Sequence, residues 1–439
     1  MSFERLRSNF RSYKRLLESD TLGSFDFFTC MVCLDSIDSS RFDQFLGAIE
    51  AKDYAVLCKV IPLAVHEFTH FIDSTSTVWG MNHLNKMNEA YCSNNRMGGK
   101  EEEFYKAKSF LEHARSLRLP DYYTVIDRAK GPDRPWQSRI TMGKKFGLDG
   151  KLSKDPILFS QFLNAHGDLI ARSPVSTVSI LEASAMSNEM LIITSLINGL
   201  SEEEKLVESG IYQRESLDFI YNQNITEYSV CVHVVANHLQ CKDVFVASQI
   251  CSIITRLVLN FPESLVEKVL SSDIHQVVDL PKGSEFESRV RTGIQNLNLG
   301  ILYFLMCSAL PSNTAESPGK MIAGVGEALE KLNLSLDLLS EEASKEIEGI
   351  ANNLKDSRLN AIRLLSRVGL DNFFKIPMTA RGLKVEELSL PRVYLGDGTE
   401  VSIFQNDKSL LKDVGIEEIF EELYEGQEWV ERFSEGCTA

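Results

Sequence analysis

Three side chains that can hold a metal ion or move a proton stand close together in the sequence: His66, Glu67 and His70. On a helix, residues four apart lie one turn apart on the same face, so both imidazoles can reach one ion. The carboxylate of Glu67 can hold a water molecule beside that ion and take its proton. The spacing H-E-x-x-H therefore predicts a helix that binds zinc and activates water.

The surroundings of this motif favour the metal interpretation. Histidine is scarce, with 8 in 439 residues, and the motif lies in an apolar run that begins at Val60. The alternative is a core helix whose two histidines bond to each other or to the backbone. Burying two such imidazoles costs free energy that a metal ion would offset, so the alternative is the weaker interpretation.

A catalytic zinc ion usually takes three protein ligands, so the two histidines need a third. The shortest extension of the motif would place glycine at position 73 and histidine at 76, where the chain has Asp73 and Ser76. The third ligand must therefore come from a distant segment, and the best candidate is Glu182 in an apolar helix. Glu189 on the same helix is the second candidate. The alternative for Glu182 is the first exposed residue of a capped helix.

Other polar residues are candidates for supporting roles. Asp73 lies one turn after His70 and could accept the second ring N–H of a histidine ligand, or it could be a surface residue. Tyr228 is a candidate to stabilise the oxyanion of an acyl-transfer reaction, as is His233, with core packing as the alternative for both. Four further histidines have no partner at ligand spacing: His83, His113, His166 and His275.

On His66, Glu67 and His70 the chain resembles the gluzincin-type zincins. It is also similar to uncharacterised bacterial HExxH proteins that combine such a helix with a later one like the LEASA segment at 181–185. The second motif departs from the thermolysin-like pattern, because Met186 stands where that pattern has aspartate. The resemblance implies a zinc-dependent peptidase with Zn²⁺ as cofactor and a peptide or protein substrate. A zincin-fold binding or regulatory protein with a structural metal, and a zinc hydrolase of a non-peptide amide, are the alternatives.

Composition limits the partners and the compartment. The 46 basic and 62 acidic residues give a net charge of −16, which disfavours nonspecific binding to nucleic acid or anionic lipid. We expect no membrane span, because no uninterrupted apolar run reaches the necessary length. The 9 cysteines are scattered, and the pair Cys30 and Cys33 lies in a β-like run that favours packing over redox chemistry. These features predict a cytoplasmic protein.

The elements that must position the site follow from periodicity and turn signals. The sequence predicts a mainly α (α+β) fold: a zincin-like metal-helix domain with a small sheet, followed by a helical C-terminal region. The predicted elements are a metal helix at about 53–77, a second ligand helix at about 178–200, a strand at 27–34, and hairpins at 136–151 and 393–404. A linker at 311–319 divides a catalytic region, 1–310, from an accessory region, 320–439.

Overall fold

The structure is a computed structural model that describes residues 22–93, 101–147 and 150–438. The described helices are α1 (Ser39–Ala51), α2 (Tyr54–Thr75), α3 (Val78–Cys92), α4 (Glu101–Leu117), α5 (Thr177–Asn198), α6 (Glu202–Ile220), α7 (Thr226–Leu239), α8 (Val244–Leu259), α9 (Val266–Leu270), α10 (Ile274–Val277), α11 (Glu285–Gln295), α12 (Leu299–Ala309), α13 (Pro318–Lys331), α14 (Leu336–Leu354), α15 (Asn360–Lys375) and α16 (Ile416–Thr438). The described strands are β1 (Ser24–Asp26), β2 (Met31–Leu34), β3 (Val125–Ile126), β4 (Gln137–Phe146), β5 (Leu152–Leu163), β6 (Leu169–Pro174), β7 (Val393–Leu395) and β8 (Glu400–Val401).

The mainly helical α+β class is confirmed, including the helical C-terminal region. The predicted metal helix is α2, and the predicted second ligand helix is α5. Local caps explain where both helices begin. The Asp53 side chain accepts hydrogen bonds from the first backbone N–H groups of α2. Ser176 and Ser179 cap α5 reciprocally, so that each side chain accepts from the other residue's backbone N–H.

The chain forms two compact units. Unit 1 comprises 1–118, 347–377 and 383–439, and unit 2 comprises 119–346 and 378–382. This division differs from the predicted regions 1–310 and 320–439, because unit 2 continues past the linker at 311–319 through α13. The last part of the chain joins the first part in unit 1, where β7 pairs in parallel with β2.

A four-stranded sheet in the order β1-β2-β7-β8 forms the β component of unit 1. The strand predicted at 27–34 is in fact a hairpin, because residues 27–30 turn between β1 and β2. Asp26 explains the turn, since its carboxylate accepts from Phe28 N at 3.0 Å and from Thr29 Oγ1 at 2.6 Å. The hairpin predicted at 393–404 is confirmed as β7 and β8.

The sheet of unit 2 is antiparallel in the order β3-β6-β5-β4. The hairpin predicted at 136–151 turns where expected, with Gly147 N donating to Lys151 O at 2.7 Å. Its second strand, β5, begins only after this turn and runs on to Leu163. Beside the sheet, α5 packs against α7 and α8. The small buried residues of α5 allow this close approach, and Cys231 Sγ donates to the carbonyl oxygen of Ser179 at 3.4 Å.

Among the described residues, α2 and α5 are each long and apolar enough to cross a membrane by length and composition alone. The expectation that no stretch reaches that length was wrong for these two helices. It considered only uninterrupted apolar runs, whereas the polar residues of α2 lie inside an otherwise apolar helix. Within the protein, 56% of the apolar window of α2 and 61% of that of α5 are buried. Burial of apolar side chains in a core accounts for such a composition.

Candidate metal centre

The H-E-x-x-H residues lie in the middle of α2, in unit 1. His66 is half-buried, whereas Glu67 and His70 are each only 5% exposed. The rings of His66 and His70 are neighbours, with centroids 5.0 Å apart and ring planes at 77°. The helix therefore places both imidazoles on one face, as the four-residue spacing predicts.

The β1–β2 hairpin covers this part of α2. The Phe25 ring stacks on His70 with 6.3 Å between centroids, and the Phe27 ring meets His70 at 5.9 Å. Just before β1, the backbone of Gly23 lies against Glu67. A Cβ atom at position 23 would stand only 2.9 Å from Glu67 Oε1, so a larger residue there would force the Glu67 carboxylate to shift. Aromatic rings and backbone thus restrict where the His70 and Glu67 side chains can go.

The carboxylate of Glu182 is the third member of the candidate site. Glu182 is 8% exposed, so the alternative in which it is the first exposed residue of its helix is wrong. His66, His70 and Glu182 each offer a ligand atom, and these atoms all lie within 4.8 Å of one another. Ligand atoms bonded to one zinc ion at about 2.1 Å stand at most about 4 Å apart, so side-chain shifts of about 1 Å would suffice. Two imidazoles and a carboxylate are a typical donor set for catalytic zinc.

The other candidate residues are placed as follows. Asp73 is 1% exposed, which excludes the surface alternative, and its role beside a histidine ligand stays a prediction. Glu189 is half-buried and does not belong to the group of His66, His70 and Glu182. Tyr228 is half-buried and packs edge-to-face on Phe219, and its catalytic role stays a prediction as well.

His233 occupies an aromatic core in unit 2. Its ring stacks on Trp136 at 5.6 Å, and its Nε2 donates to the carbonyl oxygen of Ile220 at 3.0 Å. Burial lowers the pKa of His233 to about 4, so the ring is neutral at physiological pH. These contacts fit the packing alternative for this residue.

A second histidine pair in unit 1 was missed at the sequence level. His83 on α3 and His113 on α4 have no partner at ligand spacing in the sequence, yet His83 Nδ1 lies 3.2 Å from His113 Nε2. His83 Nε2 lies 2.9 Å from the carbonyl oxygen of Phe27, which can only accept, so this nitrogen is the donor. Because the two residues lie on different helices, no spacing rule could have paired them.

Protonation of this second pair follows from burial. Burial lowers the pKa of His83 to about 4 and that of His113 to about 2, so both rings are neutral. Nδ1 of neutral His83 then accepts from His113 Nε2, and His113 Nδ1 faces the ammonium group of Lys86 at 3.4 Å. A directed chain of hydrogen bonds thus leads from Lys86 to Phe27, whose ring packs on His70.

The two cysteines of the β1–β2 hairpin fit the packing interpretation. Cys30 and Cys33 are both buried, and burial raises the pKa of the Cys30 thiol. A thiol with a raised pKa is a poor nucleophile at neutral pH, which agrees with the packing interpretation.

No protein-family model, no curated protein and no solved structure matches the chain.

Proposed function

We propose that the protein is a zinc-dependent peptidase that hydrolyses a peptide or protein inside the cell. One observation carries the proposal: His66, His70 and Glu182 offer ligand atoms within 4.8 Å of one another, and Glu67 is the immediate neighbour of a ligand on the same helix. A purely structural metal site needs no general base, so Glu67 supports a hydrolytic rather than a structural role.

Each residue has a defined task in the proposed reaction. A zinc ion held by His66, His70 and Glu182 would polarise the scissile carbonyl and acidify water. The Glu67 carboxylate accepts a proton from the attacking water on one of its Oε atoms and then donates it to the leaving amine nitrogen. Burial of Glu67, which is 5% exposed, and the backbone of Gly23 beside it limit the directions in which this carboxylate can turn.

The peptide substrate is supported by the sheet of unit 1. β1 is an edge strand, pairing with β2 alone among the described strands. Its first neighbour in the chain, Gly23, lies against Glu67. An extended peptide can add to such an edge through main-chain hydrogen bonds. This arrangement suits a polypeptide better than a small amide, for which no edge strand is needed.

The test combines metal content with hydrolysis. Zinc is measured by elemental mass spectrometry in the wild type and in the His66→Ala, Glu182→Ala and Glu67→Gln variants. The same proteins are then incubated with a library of peptides derived from a cell lysate, and new termini are identified by mass spectrometry. We expect near-stoichiometric zinc in the wild type and in Glu67→Gln, and loss of zinc in the other two variants.

Cleavage should occur only with the wild type. If Glu67→Gln retains zinc and cleaves peptides as fully as the wild type does, the proposed mechanism is refuted. Zinc that survives Glu182→Ala but not His66→Ala would move the third ligand elsewhere, with Glu189 examined first. A wild type that neither carries zinc nor takes it up would leave the His66–His70 pair as packing and would exclude the peptidase.

A further inference from the structure

The end of the β4–β5 hairpin in unit 2 carries a continuous apolar surface. Phe146 is 50% exposed and Leu152 is 64% exposed, and these two residues face each other as a pair across the two strands. Tyr122, which is 61% exposed, adjoins them with its ring centroid 6.4 Å from that of Phe146. Single exposed apolar residues are ordinary, whereas a contiguous group indicates a partner. We call Tyr122, Phe146 and Leu152 the hairpin patch.

The hairpin patch is held in place from below. Phe146 N donates to Tyr123 Oη at 2.7 Å, and the two rings stack with 6.4 Å between centroids. Tyr123 is itself buried and packs with Ile157 and Phe159 in a small cluster. The exposed side chains therefore project from a packed base and are not the frayed end of a strand.

Charge around the hairpin patch is opposite to that of the chain. Lys144, Lys151 and Lys154 lie in or next to the two strands, and all three are exposed. Residues 137–163 contain five basic and two acidic residues, whereas the whole chain has a net charge of −16. The rest of the protein is thus repelled by an anionic surface to which this hairpin is attracted.

We propose that the hairpin patch and its lysines dock the protein on an anionic membrane surface. Leucine and phenylalanine can enter the boundary between headgroups and acyl chains, tyrosine suits the interface, and the lysines bind acidic headgroups. Each lysine near such a surface strengthens binding by about fivefold. Nucleic acid is the less suitable partner, because the most exposed member of the hairpin patch is an aliphatic side chain that offers no stacking to a base.

Vesicle sedimentation with the full chain tests this docking. The protein is mixed with vesicles of phosphatidylcholine alone and with vesicles of equimolar phosphatidylcholine and phosphatidylserine. We expect binding to the second kind only, weakened by added salt because exposed charges are screened. Two variants probe the surface: Phe146→Ser with Leu152→Ser, and Lys144→Gln with Lys151→Gln and Lys154→Gln. Each should lower the partition coefficient at least about tenfold.

The matched control removes exposed apolar side chains from α6, where Leu206 and Val207 are 78% and 58% exposed next to an acidic first turn. Leu206→Ser with Val207→Ser should bind vesicles as the wild type does. The lysine variant alters no packed residue, so it remains informative if the apolar variant folds poorly. Absence of wild-type binding to anionic vesicles would overturn the proposal, as would unchanged binding by both hairpin variants. Binding to single-stranded DNA but not to vesicles would also overturn it.

Discussion

Unit 1 contains two histidine pairs, which differ in where their residues lie in the chain and in the groups that their rings face. His66 and His70 lie four residues apart on one helix and offer ligand atoms to the same group as Glu182. His83 and His113 lie on two helices and use their ring nitrogens for hydrogen bonds to each other, to Phe27 and to Lys86. An imidazole whose nitrogens both serve such bonds has none left for an ion. The histidines proposed as ligands thus lie on one helix beside a carboxylate, whereas the hydrogen-bonded pair joins two helices.

The largest expected difference between the pairs is in zinc affinity. His66→Ala should lower zinc affinity by on the order of a thousandfold, because it removes one of three ligands to an ion bound with about 10–16 kcal/mol. His83→Gln should bind zinc within a few-fold of the wild type. Competition with a chromophoric chelator measures both constants. Equal loss of zinc in the two variants would show that the pairs do not differ in the proposed way.

The free energy of unfolding, unlike zinc affinity, should respond strongly to substitution of His83. His83→Leu leaves the carbonyl oxygen of Phe27 and the Nε2–H of His113 buried without their partner, which should cost about 3 kcal/mol of unfolding free energy. His83→Gln retains an amide N–H for the Phe27 carbonyl and should recover at least half of that loss. Urea unfolding followed by circular dichroism gives both values. If His83→Leu and His83→Gln lower the free energy of unfolding equally, the hydrogen bond to Phe27 does not stabilise the fold.

The protonation of His83 makes the stability of the folded protein depend on pH. The pKa of His83 lies at about 4 in the folded protein, against 6.5 for the ordinary side chain. As pH falls below about 6.5, the unfolded chain binds a proton that folded His83 does not, so stability is lost until pH reaches about 4. This contribution amounts to at most about 3 kcal/mol.

Unfolding free energies measured at several pH values between about 7 and 4.5 should therefore fall less steeply for His83→Gln than for the wild type. The core histidine His233, whose pKa is also lowered to about 4, is present in both proteins and cancels in the difference. Parallel pH profiles would mean that His83 is not held neutral by burial.

The smallest effect is expected at Gly23, which lies against Leu63 and against the proposed general base, Glu67. A Cβ atom added there would stand 2.9 Å from Glu67 Oε1, so Gly23→Ala should displace this carboxylate. We expect kcat/KM for a cleaved peptide to fall about tenfold with zinc content unchanged, which corresponds to about 1.4 kcal/mol. Gly47→Ala is the control, because a Cβ atom at Gly47 meets nothing within 4 Å. Equal activity of the two variants would remove Gly23 from the description of the site.

The features that could be predicted from the sequence are mainly those that depend on residues close together in the chain. The metal helix and the pairing of His66 with His70 depend on residues one turn apart, so local periodicity was sufficient. Glu182 could be predicted as a ligand because it is a lone carboxylate in an apolar helix.

The contacts between distant segments could not be predicted. The bond of His83 to His113 joins two helices, and the parallel pairing of β2 with β7 joins the beginning of the chain to its end. For the same reason the predicted division at 311–319 does not coincide with that between the two units. The prediction of one strand at 27–34 was wrong for a local reason. The Asp26 side chain accepts hydrogen bonds that stabilise a turn, and this turn interrupts the strand.

The parallel pairing of β2 with β7 also bears on the order in which the protein can form during synthesis. Domains generally fold as units while the chain emerges from the ribosome, with the earlier segment first. Here the main segment of unit 2, residues 119–346, is complete before residues 347–377 and 383–439 of unit 1 exist. The first 118 residues, which include the H-E-x-x-H helix, must wait for Val393–Leu395 before their sheet is whole. A nascent chain therefore carries its proposed zinc helix for most of translation without the finished sheet beside it, and premature termination would leave the sheet incomplete.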